Sequence, residues 1–348
     1  MIAVFHSPVI GQAGCNSAVA AIASVAASKF KKRVLVLQLR DNVTPIEKIL
    51  FNRELESKSI KNEENNFEQA GIDALLARVG ASKMKKEDFE NFAVNTITQN
   101  DNLTIIGATK KTSIEAELET ASYSNVVQLL DNADTLGSYD WIFVSAPSTN
   151  SNFTQVLLNS QNLNILSVIC VPQNMMIIKR EHQNKRLDGL FSKKTSDIST
   201  KTCKKCMLIG NFDVDSKYSP RNIAAGYGYR QDKICSILHD AHYKDALSQG
   251  DLYNFIMKNL ENDIDDDIYS FSKYLVEATG KILTQDIRDM KVAYTKIVYT
   301  EPLPSKDSFE KVDTSLKAPD TSNYEAPDDD DDDIYLDDPD DDLYDDDI

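Results

Sequence analysis

The stretch of sequence that decides the fold is S-P-V-I-G-Q-A-G-C-N-S, residues 7–17. An apolar segment typical of a buried strand, residues 2–6, precedes it, and an alanine-rich segment typical of a closely packed helix, residues 18–27, follows it. A strand, a glycine-containing loop and a helix in this order direct backbone N–H groups and a helix N-terminus at a phosphate. The sequence therefore predicts an anion-binding frame, in which Gly11 and Gly14 provide the backbone freedom of the loop.

The side chains that would complete phosphate chemistry are missing from this loop. A working phosphate loop places a lysine on the phosphates and a Ser or Thr hydroxyl on Mg²⁺. Here Cys15 stands at the lysine position and Asn16 at the hydroxyl position. Binding of a phosphate through the loop backbone stays open, whereas hydrolysis is not expected. The alternative is a tight strand-to-helix turn without a ligand.

Charge and cysteine content restrict the class of protein. The net charge of the 348 residues is −17, but residues 325–348 alone hold fifteen acidic side chains and no basic ones, so the rest is nearly neutral. No apolar run approaches the roughly 20 residues of a membrane helix. No basic leader precedes the first strand, and five cysteines are an odd number that suits a reducing compartment. We expect a cytoplasmic protein without an integral membrane segment.

Apolar runs alternate with helical patterns along the chain. Strands are predicted at residues 2–6, 33–39, 103–106, 139–146, 163–171, 206–210 and 234–238, and helices at residues 72–79, 85–92, 114–130, 251–260 and 268–283. A further strand or ordered extension is predicted at residues 291–300. Such alternation predicts an α/β fold of three layers with a mostly parallel sheet.

The order and spacing of these elements resemble the deviant Walker-type ATPases of the MinD/ParA group. This group includes pilus-assembly relatives of the TadZ/CpaE type and MinD-like proteins of mobile elements. The matching positions are residues 10–17 for the K-G-G-x-G-K-T-[ST] loop, Gln38 to Arg40 for a D-L-D-like motif, Ser145 for the Walker B acid, Val171 to Gln173 and Asn211 to Asp213 for two strand ends, and His239 to Gly250 for the I-P-x₆-A-x₃-G segment. The resemblance covers roughly residues 1–285 and implies a P-loop NTPase fold.

The resemblance implies a nucleotide site whose side chains depart from the pattern of the family. It assigns ATP or ADP to Gly11, Gln12, Gly14, Cys15, Asn16, Ser17 and Asn211. Ile10 and Cys15 replace the two lysines of the family loop, including the lysine that reaches across a dimer, and Ser145 replaces the acid. We therefore expect no Mg²⁺ site and assign no catalytic residue, while a homodimer stays open.

Two charged segments are candidates for partner binding. Residues 179–205 carry nine basic and three acidic side chains, which suits contact with a DNA backbone or, alternatively, a solvated loop. The candidate contacts in this segment are Lys185, Arg186, Lys193 and Lys194. The acidic tail repeats three aspartates, an aliphatic residue and a tyrosine, ending at Tyr335 and at Tyr344. This pattern is typical of a protein docking motif, and the alternatives are a solubilising tail or docking of the tail on the basic segment.

Two pairs of metal-ligand residue types complete the candidates. Cys203 and Cys206 form a C-x-x-C, but a structural zinc needs four ligands and no second pair has matching spacing. We predict Cys206 to be a core residue and Cys203 an exposed thiol, with a metal or redox role as the alternative. His239 and His242 are predicted to lie in a loop without a metal.

The predicted organisation is a MinD/ParA-like α/β domain at residues 1–285, an extension and linker at residues 286–316, and an acidic tail, disordered by its composition, at residues 317–348. The predicted function is a cytoplasmic positioning or assembly scaffold for conjugation, partition or pilus-type machinery. A nucleotide-switched ATPase with an atypical loop and a non-specific DNA-binding partition protein are the alternatives.

Overall fold

Seven parallel strands form the central sheet of the fold. They are β1 (Ile2–Ser7), β2 (Val34–Gln38), β3 (Leu103–Ile106), β4 (Trp141–Ser148), β5 (Ile165–Pro172), β6 (Lys204–Phe212) and β7 (Ile234–Leu238). Their order in the sheet is β3-β2-β4-β1-β5-β6-β7, and every neighbouring pair is parallel. The structure is a computed structural model that describes residues 1–9, 11–39, 44–51, 71–81, 83–94, 102–108, 120–136, 139–191, 203–261 and 271–285.

Helices cover both faces of the sheet. They are α1 (Cys15–Ser28), α2 (Ile72–Ala81), α3 (Lys86–Asn91), α4 (Thr120–Thr135), α5 (Asn152–Leu158), α6 (Met175–Gln183), α7 (Pro220–Tyr227), α8 (Ala241–Gln249), α9 (Leu252–Glu261) and α10 (Phe271–Leu283), and residues 46–51 are also helical. Helix α1 packs against α9 and α10, while α2 packs against α4, and α4 against α5. The prediction of a three-layer α/β fold with a parallel sheet is confirmed.

Strand β1 lies at the centre of the sheet, between β4 and β5. Its first residues are fully buried and divide between two cores. Ala3 and Phe5 pack in the core that contains α1, whereas Ile2 and Val4 pack in the core that contains α2 and α4. A strand that is covered on both faces requires a continuous apolar run, which is why residues 2–6 could be recognised from the sequence.

Four helices, α5 to α8, and the helical segment 46–51 were missed by the sequence analysis, although some of them begin with recognisable capping signals. The Asn174 side chain accepts hydrogen bonds from backbone N–H groups at the start of α6. Ser219 caps α7 in the same way, with Pro220 at the first helical position, which is a favoured arrangement. Helix α5 follows Ser151, whose side chain makes no capping bond. The predicted helix start at residues 114–119 and the predicted strand at residues 291–300 lie outside the described residues.

The parallel arrangement divides the sheet into two edges. The carboxyl ends of all seven strands lie along one edge, here called the carboxyl edge, and the amino ends lie along the other, the amino edge. Open parallel sheets bind ligands outside the carboxyl ends of their strands. No helix in the part of the chain that the structure describes is long and apolar enough to span a membrane.

Candidate functional site

The glycine loop lies at the carboxyl edge, between the end of β1 and the first residue of α1. Gly11 and Gly14 have φ angles of 75° and 57°, in the left-handed region that costs other residues roughly 1–2 kcal/mol. Both glycines and Gln12 are exposed, so the loop backbone faces solvent. The Gly14 carbonyl accepts hydrogen bonds from the backbone N–H of Ala18 and the hydroxyl of Ser17, each at 2.8 Å. The predicted strand, loop and helix are therefore present in the predicted order.

The position that a metal would occupy beside the loop is closed by neutral side chains. Ser145, on β4, donates a hydrogen bond from its hydroxyl to Oδ1 of Asn16 at 2.5 Å. The Asn16 amide in turn donates to the carbonyl oxygen of Thr44 at 2.8 Å and to its hydroxyl at 3.1 Å. Ser145 is fully buried and Asn16 is only 6% exposed. The structure thus brings together two residues that the sequence analysis named separately, and adds Thr44, which it missed.

A second side chain from the family-like motifs has a structural role at the same edge. Gln38, at the end of β2, accepts a hydrogen bond through Oε1 from the backbone N–H of Ile46 at 2.8 Å. This contact holds the start of the helical segment 46–51, and with it Thr44, against the sheet. Arg40, which the motif comparison also named, lies outside the described residues.

The composition of this corner does not fit Mg²⁺. Mg²⁺ requires octahedral coordination by oxygen ligands, usually carboxylates, phosphates and water. Asn16 and Ser145 instead use their oxygen atoms in a direct hydrogen bond to each other. Across the described ranges, no group of three or more His, Cys, Asp or Glu side chains is placed to hold a metal ion. The hydrogen bonds of this corner therefore stand where a metal would have to bind.

One buried carboxyl group near this corner was missed by the sequence analysis. Glu47 accepts a hydrogen bond through Oε1 from the backbone N–H of Ala108 at 3.1 Å, whereas its Oε2 is buried and has no hydrogen-bond partner. Burial raises the pKa of Glu47 above its ordinary value, opposed by the hydrogen bonds to Oε1. The side chain links the helical segment 46–51 to the end of β3.

Strand β6 forms the other wall of the loop. A Cβ placed on Gly210 would lie 2.7 Å from the carbonyl oxygen of Ala13, so the two backbones are in direct contact. The next residue, Asn211, has φ of 52° and an exposed side chain. Asn211, which the resemblance assigns to the nucleotide, is therefore brought beside the glycine loop.

Two further residues at the carboxyl edge, Gln173 and Tyr243, lie in segments that the sequence analysis matched to the family but did not assign to the site. The Gln173 side chain accepts from the backbone N–H of Asp213 at 2.9 Å and donates to the Tyr218 carbonyl at 3.1 Å, which holds the segment after β6 against the end of β5. Tyr243, on α8, is buried and hydrogen-bonded to Ser17. Burial raises the pKa of Tyr243 well above its ordinary value, and the bond to Ser17 opposes that shift.

His6 lies at the end of β1 and is 1% exposed. Its Nδ1 and Nε2 are each 2.8 Å from a hydroxyl oxygen, of Thr149 and of Ser167 respectively. Burial, with smaller contributions from the charges of Lys205 and Arg186, lowers the pKa of His6 to about 3. The imidazole is therefore neutral at physiological pH and serves as a buried polar link between three strands.

The structure separates the two cysteines of the C-x-x-C. Cys206 is buried in the core, as predicted, and its Sγ is 3.8 Å from Sγ of Cys235. Cys203 is half-buried rather than exposed, which corrects the prediction, because it packs on the other core and contacts the carbonyl of Ile165. Burial raises the pKa of Cys203 to about 11. Residues three apart on a strand point to opposite faces, so one chain cannot use this pair as adjacent ligands.

The histidine pair divides between a loop and a helix. His239 follows β7, and its Nε2 is 2.7 Å from Nζ of Lys244. His242 lies in the first turn of α8, so its placement in a loop was wrong. The reason is that Asp240 accepts from the backbone N–H of Tyr243 and caps the helix.

Part of the predicted partner surface can be located. Lys185 is exposed after α6, and Arg186 forms an ion pair with the buried Glu181 at 2.8 Å. Both lie at the amino edge, away from the glycine loop. The other candidates, Lys193, Lys194, Tyr335 and Tyr344, lie outside the described residues.

Comparison with known proteins supports the fold. No protein-family model matches the chain, and no curated protein sequence matches it. A chain of the MinC:MinD cell division protein complex of Aquifex aeolicus is similar at 14% identity and a TM-score of 0.55, over 81% of this chain and 95% of that chain. A ParA family ATPase from Chlorobium tepidum TLS has 14% identity and a TM-score of 0.55, over 80% and 98%.

A third structure, pNOB8 ParA bound to non-specific DNA, has 15% identity and a TM-score of 0.51, over 83% of this chain and 99% of that chain. These similarities show that the chain has the fold of the MinD/ParA P-loop ATPases. They confirm the predicted fold class and the resemblance on which it was based.

Proposed function

We propose that this chain is a non-hydrolysing protein of the MinD/ParA fold that acts as a cytoplasmic positioning or assembly scaffold, in conjugation, partition or pilus-type machinery. The observation that supports this proposal is the hydrogen bond between Ser145 and Asn16. It joins the two positions at which a P-loop ATPase would hold its metal ion. A working P-loop places both a metal ion and a lysine beside the transferred phosphate, and this loop has Cys15 at the lysine position.

Nucleotide binding is compatible with the rest of the loop. The backbone of residues 11–14 is largely exposed, and no heavy atom lies within 4 Å of a Cβ placed on Gly11. The N-terminus of α1 favours an anion at this position. Asn211 is exposed on the adjoining wall. We infer that ATP or ADP binds here through backbone groups and without Mg²⁺, as a structural ligand of the scaffold.

Calorimetry on the full-length protein tests this proposal. Titration with ATP is expected to give the same affinity with Mg²⁺ as with a chelator, and a turnover assay is expected to show no phosphate release above the blank. Gly14→Val should abolish binding, because the left-handed φ of 57° and a contact of 2.9 Å from Cβ to the Ser17 hydroxyl leave no room for the side chain. Gly226→Ala, on α7 with nothing within 4 Å of its Cβ, is the matched control.

Each alternative result of this experiment supports a different function of the loop. Mg²⁺-dependent turnover that disappears in Gly14→Val would establish the nucleotide-switched ATPase instead. No binding of ATP or ADP would show that the loop is a turn without a ligand. The triple variant Cys15→Lys, Asn16→Thr, Ser145→Asp restores the residue types of a working loop, and it should make ATP binding at least about tenfold tighter with Mg²⁺ than without. If Mg²⁺ does not tighten ATP binding in this variant, the hydrogen bond between Ser145 and Asn16 is not what excludes the metal.

DNA binding is the second candidate function, and the exposed basic residues near the end of α6 favour it. One structure of the same fold is a ParA bound to non-specific DNA. A DNA-binding chain would show an affinity for random duplex that falls steeply with salt, because each neutralised phosphate releases counterions. Fluorescence anisotropy over a salt series measures this slope directly.

A further inference from the structure

A group of basic side chains forms one surface at the amino edge of β6 and β7. This surface, here called the basic surface, consists of Lys179, Arg180, Lys185, Arg186, Lys204, Lys205, Arg230 and Lys233. The same segments, residues 179–191, 204–205 and 230–233, contain three acidic side chains, so eight positive charges face three negative ones.

Direct contacts hold the segments of the basic surface together. The Lys205 ammonium group donates to the carbonyl of Arg186 at 2.8 Å, and the Lys233 ammonium group donates to the carbonyl of Gly189 at 2.6 Å. The backbone N–H of Arg230 donates to the carbonyl of Leu190 at 2.7 Å. Residues 186–190 are thus fastened to Lys205 on β6 and to Arg230 and Lys233 just before β7.

The three acidic side chains of the surface, Glu181, Asp188 and Asp232, are outnumbered by its eight basic ones. Glu181 is fully buried and is held by both Arg180 and Arg186. Arg230 forms an exposed ion pair with Asp232. The ammonium groups of the three lysines at the starts of β6 and β7 donate to carbonyl oxygens rather than to carboxylates. Burial lowers the pKa of Lys205 and of Lys233, so a polyanion placed here would stabilise their charged forms.

Aromatic rings lie within the same surface. His182 packs against Tyr227 with ring centroids 4.8 Å apart, and its Nδ1 is 2.7 Å from the hydroxyl of Tyr229. Tyr227 and Tyr229 are stacked at 5.4 Å, and Phe191 packs edge-on against Tyr229. Tyr227 is half-exposed, so the basic surface offers a ring face as well as charge.

The last described residue of the chain lies against this surface. The Gln285 carbonyl accepts a hydrogen bond from Lys204 at 3.1 Å, and its side-chain amide donates to the carbonyl of Asp232 at 3.1 Å. The remaining sequence therefore starts beside the basic surface and away from the glycine loop. Thirty-nine residues separate Gln285 from Glu325, which at about 3.3–3.6 Å per residue is ample to reach any point of the surface.

We propose that the acidic segment 325–348 docks on the basic surface of its own chain. The segment carries fifteen acidic side chains, and Tyr335 and Tyr344 are spaced within the acidic string. The acidic side chains of the segment complement the excess positive charge of the basic surface, and its tyrosines complement the aromatic rings there. Attachment to the same chain through residues 286–324 gives the segment a local concentration that lets it compete with a free polyanion. Docking at the basic surface is independent of the loop at the carboxyl edge.

Cleavage of the full-length protein by an Asp-specific endoprotease tests the docking. Intact mass spectrometry follows loss of the segment 325–348 at about 50 mM salt, where surface charges are weakly screened. In the double variant Lys185→Glu, Arg230→Glu, removal of the segment should be at least about fivefold faster than in the wild type. The double variant Lys83→Glu, Lys86→Glu is the matched control, since these exposed lysines lie beside β3 at the far side of the sheet.

Further conditions of the cleavage experiment identify what binds to the basic surface and whether it comes from the same chain. At about 0.5 M salt, the difference in cleavage rate between wild type and variant should disappear, because salt screens the charges. Cleavage of a model peptide at both salt concentrations corrects for the effect of salt on the protease. Protection that is independent of protein concentration indicates docking within one chain, and concentration-dependent protection would overturn that assignment in favour of a second copy. A random DNA duplex should displace the segment and speed its cleavage.

Two results would overturn the proposal altogether. One is equal cleavage of wild type and Lys185→Glu, Arg230→Glu at low salt. The other is tight, Lys185-sensitive DNA binding that is unchanged when residues 325–348 are deleted, which would make the basic surface a nucleic-acid interface that the tail does not cover. Neither result bears on nucleotide binding, because the calorimetric test concerns the opposite edge.

Discussion

The two edges of the sheet handle polar groups in opposite ways. At the carboxyl edge, Ser145 and Asn16 are neutral, buried and hydrogen-bonded to each other. At the amino edge, arginine and lysine side chains surround a single buried carboxylate, Glu181, and retain an excess of positive charge. The comparison shows a glycine loop beside a neutral, buried hydrogen bond at one edge of the sheet, and a gathering of basic side chains at the other.

The largest effect on stability is expected at Gly210, whose backbone is in direct contact with the glycine loop at the carboxyl edge. Gly210→Val places a Cβ 2.7 Å from the carbonyl oxygen of Ala13, and neither backbone is free to retreat. Overpacking of this kind should lower the free energy of unfolding by roughly 3 kcal/mol. Urea denaturation measures the change. Gly226→Ala, which meets no neighbouring atom, should be neutral or slightly stabilising. A cost for Gly210→Val as small as that for Gly226→Ala would show that the loop is not held by β6.

The next effect is expected at the amino edge. Arg186→Met removes one of the two guanidinium partners of Glu181, which is fully buried. Because Arg180 remains, we expect a loss of roughly 2 kcal/mol, less than for a buried charge left wholly unpaired. Lys185→Met, at the exposed neighbouring position, is the control. An equal loss of stability in both variants would show that the effect comes from side-chain packing rather than from the charge of Arg186.

A pH series tests the buried histidine between the strands. The pKa of His6 is lowered to about 3 in the folded protein, against about 6.5 in the unfolded chain. The unfolded chain therefore binds the extra proton, and stability is lost as pH falls through the window from 6.5 to 3. Between pH 6.5 and 5 the loss from this group should be roughly 1.5 kcal/mol.

The variant His6→Gln should flatten that part of the pH profile, whatever its own cost in stability. His242→Gln, an exposed histidine in α8, provides the control. Wild type and His6→Gln with parallel profiles between pH 6.5 and 5 would contradict the assignment of a buried neutral imidazole.

The smallest of the four effects is expected at the closed metal position. Ser145→Ala leaves Oδ1 of Asn16 without its donor in a buried setting, and should cost about 1 kcal/mol. Because no charge is involved, the cost should be the same at low and high salt, in contrast to docking at the basic surface. Ser248→Ala, where an exposed hydroxyl bonds to the carbonyl of Lys244, is the control. A strongly salt-dependent cost would mean that an ion occupies the corner.

Much of the fold could be predicted because its signals are local. The central strands are continuous apolar runs, as expected where both faces of a parallel sheet are covered. Helices α5 to α8 were missed because they are short and lie between polar segments without a clear period. The site was predicted only in part: the loop residues and Asn211 were named, but Thr44 and Tyr243 were not assigned to it, since each reaches the start of α1 from a distant element.

The sequence alone determined the glycines of the loop, the identities of Cys15 and Ser145, and the acidity of residues 325–348. These are statements about residue identity along the chain, which needs no folding to be known. Only the tertiary structure decided that Ser145 and Asn16 meet in a buried hydrogen bond, and that Gln285 lies against Lys204 at the start of β6. Both contacts join residues more than 80 positions apart, and they arise because α1 and α10 pack on the strands of the sheet.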